Sequence, residues 1–183
     1  MHLIAERGEL YAHIYENTLL GLERDLFWNL QIDCENVAWE GEEWVCSLAI
    51  DWMTWPVRRW QDIAGMGQSH LRKPELVEAS VYLLGAHHQV DLRTVQFDFE
   101  AADGLVCSIE GTARLALNEV DRSIKVAIRS SVVFAGIVVV PGNLSPKPDS
   151  PEAAGEMVAP FLALDGFRSP RLDGWRYLIE PDD

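Results

Sequence analysis

The sequence predicts a β-rich α+β domain: about seven to nine mainly antiparallel strands forming a sandwich or a strongly curled sheet, with one short C-terminal helix over an edge or end. Three observations carry this. Apolar side chains recur at every second position over several runs, the spacing that lines one face of a strand. The 3.6-residue runs that a helical or parallel βαβ architecture would place between strands are missing. At 183 residues, with 48% hydrophobic and 24% charged residues, the chain has the length and composition of one globular core, read here as a single domain over residues 1–183.

The elements follow in order. Residues 10–15 alternate Leu10, Ala12 and Ile14 with Tyr11, His13 and Tyr15, a strand. From residue 26 the row Leu26, Trp28, Leu30, Ile32 and Cys34 alternates with polar positions, Phe27 being the exception, and after residues 40–43 it resumes as Trp44, Cys46, Leu48, Ile50 and Trp52. For these two runs to form a hairpin with both rows on one face, the numbers of paired residues must sum to an even value. A sum of 80 sets Cys34 opposite Cys46, Ile32 opposite Leu48, Leu30 opposite Ile50 and Trp28 opposite Trp52. Val37 and Trp39 fall out of phase, which calls for a bulge near Glu35 and Asn36 or a wide loop.

Residues 53–75 show no clean period and are predicted to be irregular with one short helix; long irregular segments are often binding loops. A strand over residues 76–84 leads through Gly85 to His88 into Val90 and Leu92. Residues 95–140 read as a three-stranded meander: Val95, Phe97 and Phe99; then Leu105, Cys107, Ile109, Ala113, Leu115 and Leu117; then Ile124, Val126, Ile128, Val132 and Phe134. Gly104 supplies a positive φ for the first turn, residues 118–123 form the second, and Gly111 marks a bulge or a close backbone approach. Four prolines in residues 141–151 make a connector that no central strand could contain. Ser150, Pro151 and Glu152 combine a hydroxyl cap, a first-turn proline and an acid, starting a helix that runs to about residue 159. Trp175, Tyr177 and Ile179 give a final strand within residues 151–180.

Charge excludes some partners. Asp and Glu number 29 against 15 Lys and Arg, for a net charge of -14. Phosphate neutralisation needs clustered Lys and Arg, so neither nucleic acid nor an anionic membrane is expected as a partner; a basic protein or a cationic small molecule is. The N-terminus lacks a basic and apolar signal pattern, no run approaches the ~18 apolar residues of a membrane span, and three unpaired cysteines favour a reducing compartment. A cytoplasmic protein is predicted, with no cofactor implied and an oligomeric state that the sequence leaves open.

Two clusters stand out. Trp52, Trp55 and Trp60 with Arg58 and Arg59 place three indoles and two guanidiniums in nine residues, the chemistry of interface hot spots, and Trp55, Arg58, Arg59 and Trp60 are the candidate contact residues. The alternative for these tryptophans is closure of one end of the core. His87, His88 and Asp91 are weak candidates for a metal site, since adjacent strand residues point to opposite faces and cannot share an ion. The cysteines lie on inward rows and act as small hydrophobes. No nucleotide, metalloprotease or hydrolase motif is present. The small, acidic, tryptophan-rich composition is shared by many bacterial immunity proteins that neutralise basic toxins, a likeness of composition that carries no motif.

The function expected is therefore that of a non-catalytic intracellular binding protein, engaging another protein through its acidic surface and the Trp/Arg segment. A small-ligand site inside the sheet is the alternative, and an enzyme with a site near His87, His88 and Asp91 ranks below it. A structural subunit pairing through a sheet edge completes the set.

Overall fold

A computed structural model describes residues 3–117 and 120–182. Its nine strands are β1 (Ala5–Asn17), β2 (Leu22–Trp39), β3 (Glu42–Met53), β4 (Glu78–Leu83), β5 (Ala86–Glu100), β6 (Gly104–Leu117), β7 (Val120–Val139), β8 (Arg171–Asp173) and β9 (Arg176–Ile179), with one helix, α1 (Pro151–Val158). The first seven strands pair in sequence, each antiparallel to the next. The sheet then closes, because the second half of β7 pairs with β1 in parallel, from Gly8 opposite Val132 to Ile14 opposite Val139. The curled sheet expected from the sequence is thus a closed barrel rather than a sandwich, and one of its seven seams is parallel. β9 and β8 lie outside, β9 pairing with residues 137–139 of β7.

β7 can serve three neighbours because it changes partner midway. Its first half pairs with β6 up to Ser131, and its second half with β1 and β9. At the switch, Gly136 has φ +115°, and a Cβ there would sit 2.5 Å from the Ile179 carbonyl oxygen, so only glycine lets β9 approach.

The inward rows match the two-residue period. Leu10, Ala12, Ile14, Trp28, Leu30, Ile32, Leu48, Ile50, Val81, Phe97, Cys107 and Ile109 are each at most 1% exposed. In the β2–β3 hairpin, Cys34 faces Cys46, Ile32 faces Leu48 and Leu30 faces Ile50, with the bulge between Cys34 and Val37. The expected Trp28–Trp52 pair does not form. Trp52 adopts φ +65°, Trp28 pairs with Met53 instead, and the Trp52 ring turns to the outer face. Phe99, placed by parity in the core row, lies 71% exposed near the end of β5, where the barrel wall runs out.

Gly104 has φ +71°, as its turn requires. Gly111 faces the bulge between Leu92 and Thr94, and a Cβ there would lie 2.8 Å from the Asp91 carbonyl oxygen. Of the turn expected at residues 118–123, Asn118 and Glu119 lie outside the described residues, and β7 has begun by Val120. The Ser150 hydroxyl accepts from the Ala153 amide at 3.2 Å, capping α1. The segment after β3 holds three single 3-10 turns, at Trp60–Ile63, Gln68–His70 and Pro74–Leu76, in place of one helix. Among the described residues no helix is long and apolar enough to cross a membrane.

Candidate functional site

The Trp/Arg segment closes one end of the barrel. β4 is short and pairs with only the first residues of β5, leaving the rest of that edge open. Residues 65–67 fill the gap: the Gly65 amide donates to the Phe97 carbonyl at 2.7 Å, and the Phe97 amide to that of Met66 at 2.8 Å. Trp55 is 3% exposed, packs edge-on against Phe97 at 5.3 Å and donates its indole hydrogen to the Gly67 carbonyl at 3.2 Å. Trp60, half-buried, stacks on Phe134 at 5.1 Å. Arg58 and Arg59 are exposed but engaged, Arg58 with the Pro160 carbonyl at 2.7 Å and Arg59 with Asp62 at 3.0 Å. Of the four candidate contact residues, the two indoles thus pack at the barrel end and the two guanidiniums tie down its surface.

The histidine cluster divides as strand geometry requires. His88 faces inward, 7% exposed, with Nε2 3.0 Å from the Leu83 carbonyl oxygen. His87 is exposed beside Tyr82, and Asp91 pairs with Arg114 at 2.8 Å. Among the described residues no three His, Cys, Asp or Glu side chains are placed to hold a metal ion. All three cysteines are buried free thiols; burial pushes Cys107 up, and a hydrogen bond to Cys46 together with burial does so for Cys34.

A different constellation lies on the outer face. The polar-phase positions of β1 and β2 face each other across the seam: Tyr11 opposite Asn29, His13 opposite Phe27, Tyr15 opposite Asp25. Trp52 turns onto this face and completes an aromatic cluster, with His13 5.1 Å, Tyr15 5.2 Å and Phe27 5.3 Å from its ring. Phe27 is fully buried there although it points away from the barrel, with the Lys73 ammonium 5.9 Å from its centroid. Beneath the same loop, Asp25 is 3% exposed and bound by Arg72 at 2.6 Å and Lys73 at 3.1 Å. A second small core therefore packs on the outer face of the wall.

Beside it runs a groove of about 460 Å³, floored by Gly136 and Val138 of β7 and walled by Glu9, Tyr11 and His13 on β1 and by Arg176, Leu178 and Glu180 along β9 and just past it. The groove exists because β7 carries small outward residues between two strands with large ones.

The protonation of His13 follows from its neighbours. The Trp52 backbone amide can only donate, and it reaches the Asn29 side chain at 3.2 Å, so the atom it meets is Oδ1. The Asn29 amino group is then the one that faces His13 Nδ1, at 2.7 Å, and donates to it. Nδ1 is an acceptor, and the hydrogen of the neutral ring resides on Nε2, which makes no hydrogen bond among the described residues. Burial lowers the His13 pKa to about 4, so the ring is uncharged at neutral pH. Burial, and then the carboxylates of Asp51 and Glu9, raise the Tyr11 phenol; burial and Glu78 raise Asp51.

The groove thus offers the Tyr11 ring, a neutral His13 imidazole that donates through Nε2, and the Glu9 carboxylate, which has no ion pair among the described residues. Arg176 is neutralised by Asp173 at 3.1 Å and Glu180 by Arg171 at 2.9 Å. With Nδ1 occupied by an amide donor, His13 is no general base. A sequence signal did exist for this site: Tyr11, His13 and Tyr15 put three rings on a row expected to be polar, and Phe27 broke the alternation of its strand. Searches against protein-family models, curated proteins and solved structures gave no significant match to this chain.

Proposed function

We propose that the chain is a non-catalytic binding protein that recognises a basic protein partner, with the β1–β7–β9 groove receiving an arginine side chain. The observation that carries this reading is the groove itself: the Tyr11 ring and the His13 imidazole beside Glu9, which has no ion pair among the described residues, on a chain of net charge -14. A guanidinium can stack on the Tyr11 ring while hydrogen-bonding Glu9, and an uncharged His13 does not repel it. The wider acidic field steers a cationic partner toward the surface. The contact residues proposed therefore move from the Trp/Arg segment, which packs against the barrel end, to the outer wall.

Titration calorimetry with an arginine-rich peptide at low ionic strength tests this. Removal of the cation–π contact or of the charge, as Tyr11→Ala or Glu9→Gln, is expected to weaken binding about three- to tenfold each, whereas Arg58→Ala leaves it unchanged. Undiminished binding by Tyr11→Ala and Glu9→Gln would reject the groove, and a selective loss in Arg58→Ala would return the contact to the barrel-end segment.

A further inference from the structure

A second cleft, of about 600 Å³, lies at the opposite end of the barrel, lined by Asp91 and Arg93 of β5, Thr112 and Arg114 of β6, and Arg122 and Ser123 of β7. Its charge runs against that of the chain. Where carboxylates outnumber cations almost two to one, guanidiniums are expected to find acidic partners, and most do: Arg7, Arg24, Arg59, Arg72, Arg114, Arg129, Arg171 and Arg176 all form ion pairs. Arg93 and Arg122 have no ion pair among the described residues, and both line this cleft.

The local backbone produces the arrangement. The bulge between Leu92 and Thr94 inserts Arg93 as an extra residue in β5, and its side chain is exposed. Gly111, opposite the bulge, lets β6 approach the Asp91 carbonyl and contributes no side chain to the floor. Arg114 uses Nε and Nη2 on the single Asp91 oxygen Oδ2, at 3.1 and 2.8 Å, and its Nη1 makes no hydrogen bond among the described residues. Arg122 is held over the Trp39 ring at 5.3 Å, a contact that orders the guanidinium without neutralising it. Three guanidiniums against one carboxylate, with Thr112 and Ser123 hydroxyls beside them, make a local cationic site.

We propose that this cleft binds a small molecule bearing a diphosphate group. Guanidinium forks match the oxygens of tetrahedral phosphate bidentately, and two unpaired forks beside a half-engaged third suit two linked phosphates better than one. The volume exceeds that of an isolated inorganic ion and lies in the range of small-ligand sites, about 300 to 1,000 Å³. The surrounding acidity repels anions in general, so saturable binding of one would have to come from this local cluster.

Pyrophosphate is the probe, followed by calorimetry at low ionic strength and by amide chemical-shift mapping, with orthophosphate in parallel. The expected result is saturable pyrophosphate binding in the micromolar to millimolar range, tighter than orthophosphate, with shifts at residues 91–93, 111–114 and 122–123. Arg93→Ala and Arg122→Ala should each weaken it about tenfold, and Arg93→Lys, which keeps the charge but not the fork, should weaken it severalfold. Both side chains are exposed, so the variants keep the fold, which circular dichroism checks. No saturation up to about 10 mM pyrophosphate, or equal binding by an Arg93→Ala/Arg122→Ala double variant, would overturn the proposal.

Discussion

Mild acid should weaken this fold through one imidazole. His13 has a native pKa of about 4, against about 6.5 for an unstrained histidine. Between those values the unfolded chain holds a proton that the native chain refuses, so stability rises with pH across the window. The contribution of a neutral His13 is therefore complete above about pH 6.5 and is lost as the pH falls toward 4. Burial of the ring is the cause, and the local geometry acts in the same direction: a proton on Nδ1 would face the Asn29 amino donor at 2.7 Å, and turning the amide over to accept it would break the bond from the Trp52 amide. Each pH unit across the window is worth about 1.4 kcal/mol, so moving from pH 6.5 to 4.5 costs about 2.7 kcal/mol, which partial solvent exposure of the ring reduces to about 1.5 kcal/mol. Carboxylate titration and relief of the -14 charge act over the same range, so the comparison must be with a variant that lacks the imidazole. Urea unfolding of the wild type and of His13→Gln at pH 7.5 and 4.5 isolates the term: the variant should gain about 1.5 kcal/mol on the wild type between the two conditions. An offset that is the same at both pH values, or a His13 proton NMR titration centred near 6.5, would refute the reasoning.

Other perturbations test other parts of the architecture. Trp55→Ala removes the indole that seals the barrel end against Phe97 and Trp28 and should cost about 3 to 5 kcal/mol, read as a large drop in thermal midpoint. Gly136→Ala drives a methyl into the Ile179 carbonyl and should cost more than about 2 kcal/mol, while Gly142→Ala, with open space around its Cβ, should stay within about 0.5 kcal/mol. Asp25→Asn leaves Arg72 and Lys73 without their shared carboxylate; because both cations are partly exposed, the loss should be about 1 to 2 kcal/mol in denaturant unfolding. The buried thiols should resist a disulfide reagent in the native protein and react together on unfolding, and a fast-reacting native thiol would contradict their placement.

What could be read from the sequence, and what could not, follows from the range of the interactions involved. The β2–β3 register was legible because parity and a nearby turn constrain it locally, and the bulge was visible as a phase change at Val37. The Trp28–Trp52 pair failed because the positive φ of Trp52 serves a cluster assembled from β1, which alternation within one hairpin does not report. Closure was hidden for the same reason: the parallel seam joins strands far apart in the chain, β1 and β7, and neither strand shows in its own pattern which partner lies beside it. The Trp/Arg segment reads as a contact loop because its composition suits an interface, and that composition does not report that Trp55 and Trp60 also pack at the barrel end.

That closure bears on the recognition proposed above. A barrel of about eight strands has an interior only just wide enough to be filled by its own side chains, and here seven strands fill it with rows that are almost wholly inaccessible. One end is sealed by Trp55, Ile63 and their neighbours, with the chain beyond α1 tied to that plug through the Ala163 amide and the Arg58 carbonyl at 2.8 Å. The outer wall remains, and a strand wall is ordinarily a poor place for a site because its side chains stand apart. The two sites proposed above both rest on irregularities in the ladder. The turned-out Trp52 packs the β1 aromatics into one cluster beside the groove floored by Gly136 and Val138, and the β5 bulge adds Arg93 to a cleft that Arg114 and Arg122 also line. If recognition depends on these departures from regular pairing, deleting Arg93, which restores the β5–β6 register, should abolish the cationic cleft while leaving the aromatic groove intact. Loss of pyrophosphate binding with arginine-peptide binding retained would separate the two sites, and loss of both at unchanged stability would refute their independence.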